Sequence, residues 1–180
     1  MINKLLRLML LPGLIFAMLA PAPAADSIKI NDLVIAGRIP EARREATLKS
    51  VRAFYDFWNT GDAALLKKAI AENFTDRTLP PGRPQGPEGL AFASRQFRAA
   101  VPDLKVTVEK MIVAGSYTTV HMRFTGHFTG RLGQAQGNGQ EISFIATDLV
   151  KVEDGRITDN WHIEDNLTLL KQMGIAHLDP

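Results

Sequence analysis

Apolar residues recur at helical spacing in the stretch that follows Pro40. They fall on one side of a helix with about 3.6 residues per turn, which is the pattern of an amphipathic helix packed on a core. This apolar side consists of Leu48, Val51, Phe54, Tyr55 and Trp58. Gly61 is typical of a residue that ends a helix, so we expect the first helix to stop at Asn59-Thr60-Gly61.

Two further helices are predicted before the pattern changes. Asp62 is placed to cap a second helix over "DAALLKKAIAENF". A link rich in proline and glycine follows from Leu79 to Pro87. A third helix has Pro87 and Glu88 in its first turn and ends before Pro102, because the residue before a proline disfavours the helical conformation.

After Asp103 the apolar residues alternate with polar ones, which predicts strands. Gly115-Ser116 and Asp154-Gly155 mark turns between neighbouring strands. The predicted strands cover residues 105–114, 117–128, 141–152 and 156–165. Helices followed by antiparallel strands indicate an α+β fold, with the helices packed on one side of a curved sheet.

The turn at Asp154-Gly155 allows two registers that make opposite predictions. A two-residue loop pairs Glu153 with Arg156 and places Asp148 and His162 on opposite faces. A three-residue loop with Gly155 as a bulge pairs Val152 with Arg156 instead. The second register places Asp148, Asn160 and His162 on one face, with Asp148 and His162 as diagonal neighbours.

The strand 117–128 has a polar face that includes His121, Arg123 and His127. We expect His121 and Arg123 to point into the interior and contact a ligand, although simple exposure to solvent explains Arg123 and His127 equally well. A metal site formed by His121, His127, His162 and Asp148 is an alternative, since histidine and carboxylate groups bind zinc or iron. Their spacing matches no compact metal motif, and we therefore expect no metal.

The first 24 residues have the order of a secretory signal. Lys4 and Arg7 precede an apolar run from Leu8 to Ala20, and Ala22-Pro23-Ala24 forms an A-x-A cleavage site. Cleavage after Ala24 and a periplasmic or secreted location are expected, and retention as an anchor is the alternative. The predicted organisation is a signal over 1–24, a flexible or extended lead-in over 25–45, a domain over 46–176 and a tail over 177–180.

Composition excludes several classes of function. Without Lys4 and Arg7, the net charge of +2 disappears and 19 basic residues balance 19 acidic ones. Nucleic acids and anionic membranes are therefore not expected as partners. The chain has no cysteine, which excludes disulfides, thiolate nucleophiles and thiolate metal sites. The phosphate-binding motifs G-x-G-x-x-G and Walker A and the hydrolase motif G-x-S-x-G are absent, so we expect no nucleotide cofactor.

A set of ordered motifs over residues 47–174 resembles the SnoaL-like polyketide cyclases, also called ester cyclases. The motifs are "FYDFWNTGD", "GPEGL", "VPDLKVTVE", "RFTGHFTG" and "VEDGRITDNWHIEDNLTLLKQMG". The family belongs to the superfamily of nuclear transport factor 2 and ketosteroid isomerase. The resemblance implies a conical α+β fold with an interior pocket, a homodimer, and catalysis without metal or organic cofactor.

The resemblance also implies which residues form the site. In the characterised cyclases, an aspartate on the last strand and a histidine on the preceding strand are the acid/base pair of an aldol closure. His162 occupies the position of that aspartate and Asp148 the position of that histidine, so the two residue types are exchanged here. A shared site needs both positions on one face, and this selects the three-residue hairpin loop.

The sequence therefore predicts proton-transfer chemistry on a small hydrophobic molecule with a carbonyl or ester group. Asp148 is expected to fix the tautomer of His162, which then exchanges a proton with the ligand. The residues expected to contact the ligand are Tyr55, Trp58, Phe92, Phe97, His121, Arg123 and Asn160, with Phe54 as a further wall. A binding or interaction module without turnover is the alternative, because one fold supports both uses. Structural roles are expected for Trp161, which packs, and for Asp165, which caps the last helix.

Overall fold

A computed structural model describes residues 27–177 of the chain. The predicted signal peptide and the last three residues of the predicted tail lie outside the described residues. The helices are α1 (Glu41–Thr60), α2 (Ala63–Ala69), α3 (Pro87–Ala100) and α4 (Asn166–Gln172). The strands are β1 (Leu33–Ala36), β2 (Ile70–Asp76), β3 (Lys105–Ala114), β4 (Tyr117–Phe128), β5 (Arg131–Leu132), β6 (Ala135–Gln136), β7 (Gln140–Glu153) and β8 (Arg156–Glu164).

Six strands form one curved, open sheet in the order β1-β3-β4-β7-β8-β2. The four central strands are antiparallel, whereas the edge strands β1 and β2 run parallel to β3 and β8. Helix α1 packs on one face of the sheet through Trp58, whose ring lies 6.4 Å from that of Phe124. Helix α3 packs on the same face through Phe97, 5.9 Å from Phe144. The α+β fold with helices on one side of a curved sheet is confirmed.

Helix α1 ends where the sequence predicts. Gly61 has a φ of 74°, a left-handed conformation that glycine adopts at little cost, and its N–H donates to the Phe57 carbonyl. Asp62 then accepts a hydrogen bond from the Ala64 N–H and caps α2. Asp165 likewise accepts from the Thr168 N–H and caps α4, as predicted.

The prediction is wrong for the second half of the second helix, which is a strand in the structure. Helix α2 ends at Ala69, and Ile70 begins strand β2. Ile70 pairs with Ile157 and Asp76 with Asn160, so β2 completes the edge of the sheet beside β8. The hydrogen bonds offered by that edge outweigh the local helical propensity of this stretch. This change places Asp76 beside His162, which bears directly on the site.

The segment predicted as a flexible or extended lead-in contributes to the sheet. Leu33–Ala36 pair with Met111–Ala114, and the side chain of Ile28 is buried in the core. Helix α1 begins at Glu41, ahead of the position 46 at which the domain is predicted to start.

The hairpin between β7 and β8 combines features of both predicted registers. Glu153 pairs with Arg156 across a two-residue turn, with positive φ at Asp154 and Gly155, so the predicted three-residue loop is wrong. The register then shifts, because Lys151 pairs with Asp159 and Val152 with Ile157. Thr158 is the extra residue of a β-bulge. The bulge restores the alternation and places Asp148 directly opposite His162.

Candidate functional site

A pocket of about 570 Å³ lies between helices α1 and α3 and the inner face of the sheet. Most of its wall is apolar, and its size is within the range of small-molecule sites. The apolar lining consists of Trp58, Pro80, Pro81, Leu90, Phe92, Ala93, Phe97, Met122, Phe124, Leu132, Phe144, Ala146 and Leu169. Four of the predicted ligand contacts line this pocket, with Phe92 at its exposed rim: Trp58, Phe92, Phe97 and Asn160.

The polar residues of the pocket form a connected cluster on strands β7 and β8 and the loop after β2. Asp148 and His162 pair across the two strands, and Asn160 and Glu164 are two residues to either side of His162 on the same face. Arg83 reaches the cluster from the proline-rich loop between β2 and α3. These charged groups are held at one side of an otherwise apolar cavity.

His162 is held between two carboxylates. Its Nδ1 lies 2.7 Å from Glu164 Oε1, and its Nε2 lies 3.1 and 3.2 Å from the two carboxylate oxygens of Asp76. Burial lowers the pKa of His162, but the hydrogen bond and charge of Glu164, together with Asp76, outweigh burial and raise the pKa to about 9. The ring is therefore an imidazolium at neutral pH, and each ring nitrogen donates a hydrogen bond to a carboxylate.

This arrangement corrects the predicted partnership between Asp148 and His162. Within residues 27–177, no hydrogen bond joins the two side chains, and Asp76 and Glu164 fix the ring instead. The charge of His162 still acts on Asp148, because it lowers the pKa of that carboxyl. His162 is thus coupled to Asp148 through charge rather than through a shared proton.

Replacement of Asp76 by asparagine is expected to lower the pKa of His162 by at least one unit. The change removes one of the two carboxylates that stabilise the imidazolium while it keeps an oxygen acceptor of the same size. Titration of the histidine side chains by NMR measures this shift. His127, an exposed histidine paired with Asp103 on another part of the surface, serves as the internal control. An unchanged titration of His162 in Asp76→Asn would contradict the assignment of Asp76 as its counter-ion.

Asp148 is a buried carboxyl with an unusual proton affinity. Burial raises its pKa to about 7, against the lowering effects of the Tyr55 hydrogen bond and the His162 charge. The Glu164 charge acts in the same direction as burial. A carboxyl that is half ionised near neutral pH can both accept and return a proton, which is the requirement for a general base and acid.

Tyr55 acts through Asp148 rather than by lining the pocket. Its side chain is fully buried, and its hydroxyl donates a 2.9 Å hydrogen bond to Asp148 Oδ2. Burial and the charge of Asp148 raise the pKa of Tyr55 well above its ordinary value, so it stays a neutral donor. The predicted contact of Tyr55 with a ligand is therefore replaced by a role in orienting Asp148. Phe54, the further wall predicted, lies in the core with its ring 5.3 Å from that of Tyr55.

His121 and Arg123 lie on the opposite face of the sheet from the pocket, contrary to the prediction. His121 Nδ1 is 2.8 Å from Thr147 Oγ1, and Arg123 donates to Glu109 at 2.7 Å. The face of β4 that lines the cavity carries Met122 and Phe124. The apolar side of this strand faces inward because it packs against the helices, so the alternation reflects an ordinary outer surface.

The same geometry separates the four residues of the alternative metal site. His121 lies across the sheet from His162, and His127 pairs with Asp103 on the exposed surface. Among the described residues, no group of three or more histidine or acidic side chains is arranged to hold an ion.

The loop from Gly130 to Gly139 contains the short hairpin β5–β6. Leu132 from this hairpin lines the pocket, and a Cβ on Gly130 would lie 1.8 Å from the Ala99 carbonyl oxygen of α3. The hairpin thus forms a wall that packs against the helix. Trp161 lies outside the pocket lining, with the Arg77 guanidinium carbon 6.0 Å from its ring centroid, in agreement with a packing role.

Three charged residues of the site escaped the sequence analysis. Asp76 lies just after the predicted second helix, which ends at Phe74, and Arg83 lies in the predicted link, with no pattern to connect either residue to His162. Glu164 had a usable signal, because residues i and i+2 of a strand share a face and Glu164 follows His162 at that spacing. His162 Nδ1 is bonded to that side chain.

Comparison with known proteins agrees with this geometry. The helices on the inner face of a curved, open sheet, with a pocket between them, define a protein of the class of nuclear transport factor 2. A family model for the SnoaL-like polyketide cyclases matches residues 49–173. The chain therefore belongs to the SnoaL-like polyketide cyclase family.

Solved structures support the assignment. A candidate polyketide cyclase from Bacillus cereus is 37% identical, covers 86% of this chain and 97% of its own, and has a TM-score of 0.78. IdmH, a candidate polyketide cyclase from Streptomyces antibioticus, is 25% identical over 71% of this chain and 98% of its own, with a TM-score of 0.64. TsrD from Streptomyces laurentii shares the fold at 24% identity over 77% of this chain and its full length, with a TM-score of 0.67. No curated protein matches the sequence. Over residues 27–177, no helix has the length and apolar character needed to cross a membrane.

Proposed function

We propose that the protein is a proton-transfer enzyme of the cyclase or isomerase type that acts on a small hydrophobic molecule with a carbonyl or ester group. The observation that carries the proposal is the buried Asp148, whose pKa is about 7 and which lines an apolar pocket. Such a carboxyl is poised to exchange protons with a bound molecule at neutral pH. The family assignment supports the same class of chemistry.

In the proposed reaction, the Asp148 carboxylate accepts a proton from the carbon next to the ligand carbonyl. The electron pair of the C–H bond becomes an enolate, and the positive charge of His162 stabilises this anion inside the pocket. In a cyclisation, the enolate carbon then forms a bond to a second carbonyl carbon of the same molecule. The oxygen of this second carbonyl takes the proton back from Asp148. In an isomerisation, the proton returns to another carbon. The product has the atoms and electrons of the substrate, so the step uses no redox partner.

The exchanged residue types fit this assignment of roles. Because both nitrogens of His162 are bonded to carboxylates, the histidine contributes charge, and Asp148 carries the proton. This interpretation reverses the predicted roles, in which His162 exchanges the proton and Asp148 orients it.

Exchange of carbon-bound hydrogen tests the proposal without knowledge of the natural substrate. 2-Tetralone, an apolar bicyclic ketone with acidic hydrogens next to its carbonyl, is incubated with the protein in D₂O and followed by NMR. We expect faster loss of these hydrogen signals than in buffer alone. Binding of the ketone without faster exchange would contradict the proposal and support a binding module without turnover.

We also propose that the protein is exported and that the first 24 residues are removed. The support is the basic start, the apolar run and the Ala22-Pro23-Ala24 site in the sequence. Mass spectrometry of the protein recovered from the periplasm or medium should give the mass of a chain that starts at Ala25. A full-length chain found only inside the cell would contradict this proposal.

The homodimer implied by the family is likewise proposed, and its mass in solution tests it.

A further inference from the structure

Arg83 is the cationic donor of the pocket that protein groups leave largely unused. A guanidinium has five N–H donors. Among residues 27–177, its side chain makes one hydrogen bond, from Nη1 to Asp76 Oδ2 at 3.4 Å, which is longer than the usual 2.7–3.2 Å. The side chain is only 20% exposed and lines the pocket, and its other N–H groups have no protein acceptor among these residues.

His162 is not available as a cationic hydrogen-bond donor to a ligand. Of the described residues that line the pocket, His162 and Arg83 are the basic ones. The two ring nitrogens of His162 already point to Asp76 and Glu164. A ligand oxygen that needs a cationic hydrogen-bond donor therefore finds it at Arg83.

The loop that carries Arg83 is held in place on two sides. The Gln85 side chain accepts a hydrogen bond from the Asp76 N–H at 2.7 Å and donates to the Asp76 carbonyl at 2.9 Å, which attaches the loop to β2. On the other side, a Cβ at Gly89 would lie 1.9 Å from the Pro84 carbonyl oxygen, so the loop backbone contacts the start of α3 directly. The backbone that carries Arg83 is thus fixed before a ligand binds, which lowers the cost of ordering this loop on binding.

The charges of the cluster favour an oxygen that becomes negative during a reaction over a ligand that is already anionic. Arg83 and His162 face the carboxylates of Asp76 and Glu164, so these four groups balance. Asp76 Oδ2 accepts from Arg83 only weakly and is shared with His162, so Arg83 can turn its fork to a ligand oxygen without leaving a buried carboxylate unpaired.

We propose that Arg83 is the oxyanion-binding residue of the pocket, and that it takes the enolate or phenolate oxygen of a hydrophobic ligand. The inference rests on the proposed function, since it supplies the oxygen site for the enolate formed at Asp148. It narrows the ligand class to molecules that place an enolisable carbonyl or a phenol against the β2–α3 loop. The guanidinium donates hydrogen bonds to that oxygen and keeps all its protons.

The test uses 2-naphthol, whose ionised form absorbs at longer wavelength than the neutral form. The probe is titrated with pH while bound to an Asp148→Asn variant, in which Asp148 cannot take its proton. We expect the pKa of bound 2-naphthol to be about one to two units higher in Asp148→Asn/Arg83→Gln than in Asp148→Asn alone, because the phenolate has lost its cationic donor. Arg83→Lys in the same background should retain part of the shift, since it keeps the charge and loses the fork.

Arg95→Gln is the matched control. Arg95 lies on the exposed side of α3, outside the pocket lining, and its removal should leave the probe pKa unchanged. Circular dichroism shows whether each variant is folded. If Arg83→Gln does not fold, Arg83→Lys in the same background still tests the inference. Equal probe pKa values with and without Arg83, or no binding of 2-naphthol, would overturn the inference.

The outcomes separate the inference from the proposed function. If 2-tetralone exchange depends on Asp148 but the pKa of bound 2-naphthol does not depend on Arg83, the inference is wrong and the proposed function is supported. If the naphthol pKa depends on Arg83 while no exchange is catalysed, the oxyanion site stands and the proposed enzyme activity falls.

Discussion

Asp148→Asn is expected to slow the enzyme-catalysed exchange of 2-tetralone hydrogens by a factor of about 10² to 10⁴, the usual contribution of a general base. Asparagine has nearly the same shape, accepts the hydrogen bond that Tyr55 donates, and cannot take up a proton at neutral pH. The apolar lining is unchanged, so the dissociation constant of the ketone should change little. NMR exchange rates and a binding titration on the same samples separate the two effects.

The pH dependence of exchange gives an independent check of the same residue. Asp148 is active as the carboxylate, so the rate should rise as the pH increases through about 7 and then level off. Loss of the His162 proton above pH 9 removes the positive charge that favours the enolate, and the rate should then fall. His127→Asn, on the exposed surface, should leave the profile unchanged. A profile that rises through a pKa near 4 would contradict the assignment of the base.

His162→Leu is expected to reduce the free energy of unfolding by about 3–5 kcal/mol at pH 7, the usual cost of removing one partner from a buried ion pair. The Asp76 side chain is 3% exposed and would lose its imidazolium partner, while Glu164 would lose the bond to Nδ1. Urea unfolding of the two proteins at constant pH measures the difference. His162→Gln, which keeps a hydrogen-bond donor but no charge, should fall between them.

The pH dependence of stability has a definite sign for His162. Its pKa of about 9 in the folded protein exceeds the ordinary value of 6.5, so the folded state holds the proton more tightly. The stabilisation is fully present below pH 6.5 and is lost as the pH rises through about 9. The gap between the unfolding free energies of the natural protein and His162→Leu should therefore narrow from pH 6 to pH 9.5. A constant gap would show that the histidine contributes through packing alone.

Much of the fold follows from local patterns in the sequence. The stripe from Leu48 to Trp58, the glycine at position 61 and the alternation after Asp103 each correspond to one element with its ends within a few residues. These signals depend on neighbouring residues, so the sequence displays them directly. The family motifs supplied the arrangement of those elements in space.

The site was predictable only where it follows a strand register. Asp148 and His162 were placed on one face, and the structure puts them directly opposite each other. Asp76 was missed because its position depends on β2 joining the sheet beside β8, a contact between residues more than 80 positions apart. The mistaken inward orientation of His121 and Arg123 has a similar origin, since alternation defines two faces but does not say which one the helices cover.

The ionisation of the pair was equally inaccessible to sequence analysis. The pKa of Asp148 depends on the depth of its burial and on Tyr55, whereas that of His162 depends on two carboxylates from different strands. The roles of the two residues therefore follow from the folded structure, although the sequence alone points to both residues.

The bulge at Thr158 determines which side chains of strand β8 point into the ligand cavity. A two-residue turn without that extra residue would place Trp161 opposite Asp148, because the side chains of a strand alternate between its faces. Trp161 and Ile163 would then point into the cavity, and His162 and Glu164 would turn to the outer surface. Deletion of Thr158, which does not itself line the cavity, would thus exchange a charged cavity wall for an aromatic one, with every side chain of the site still present in the sequence.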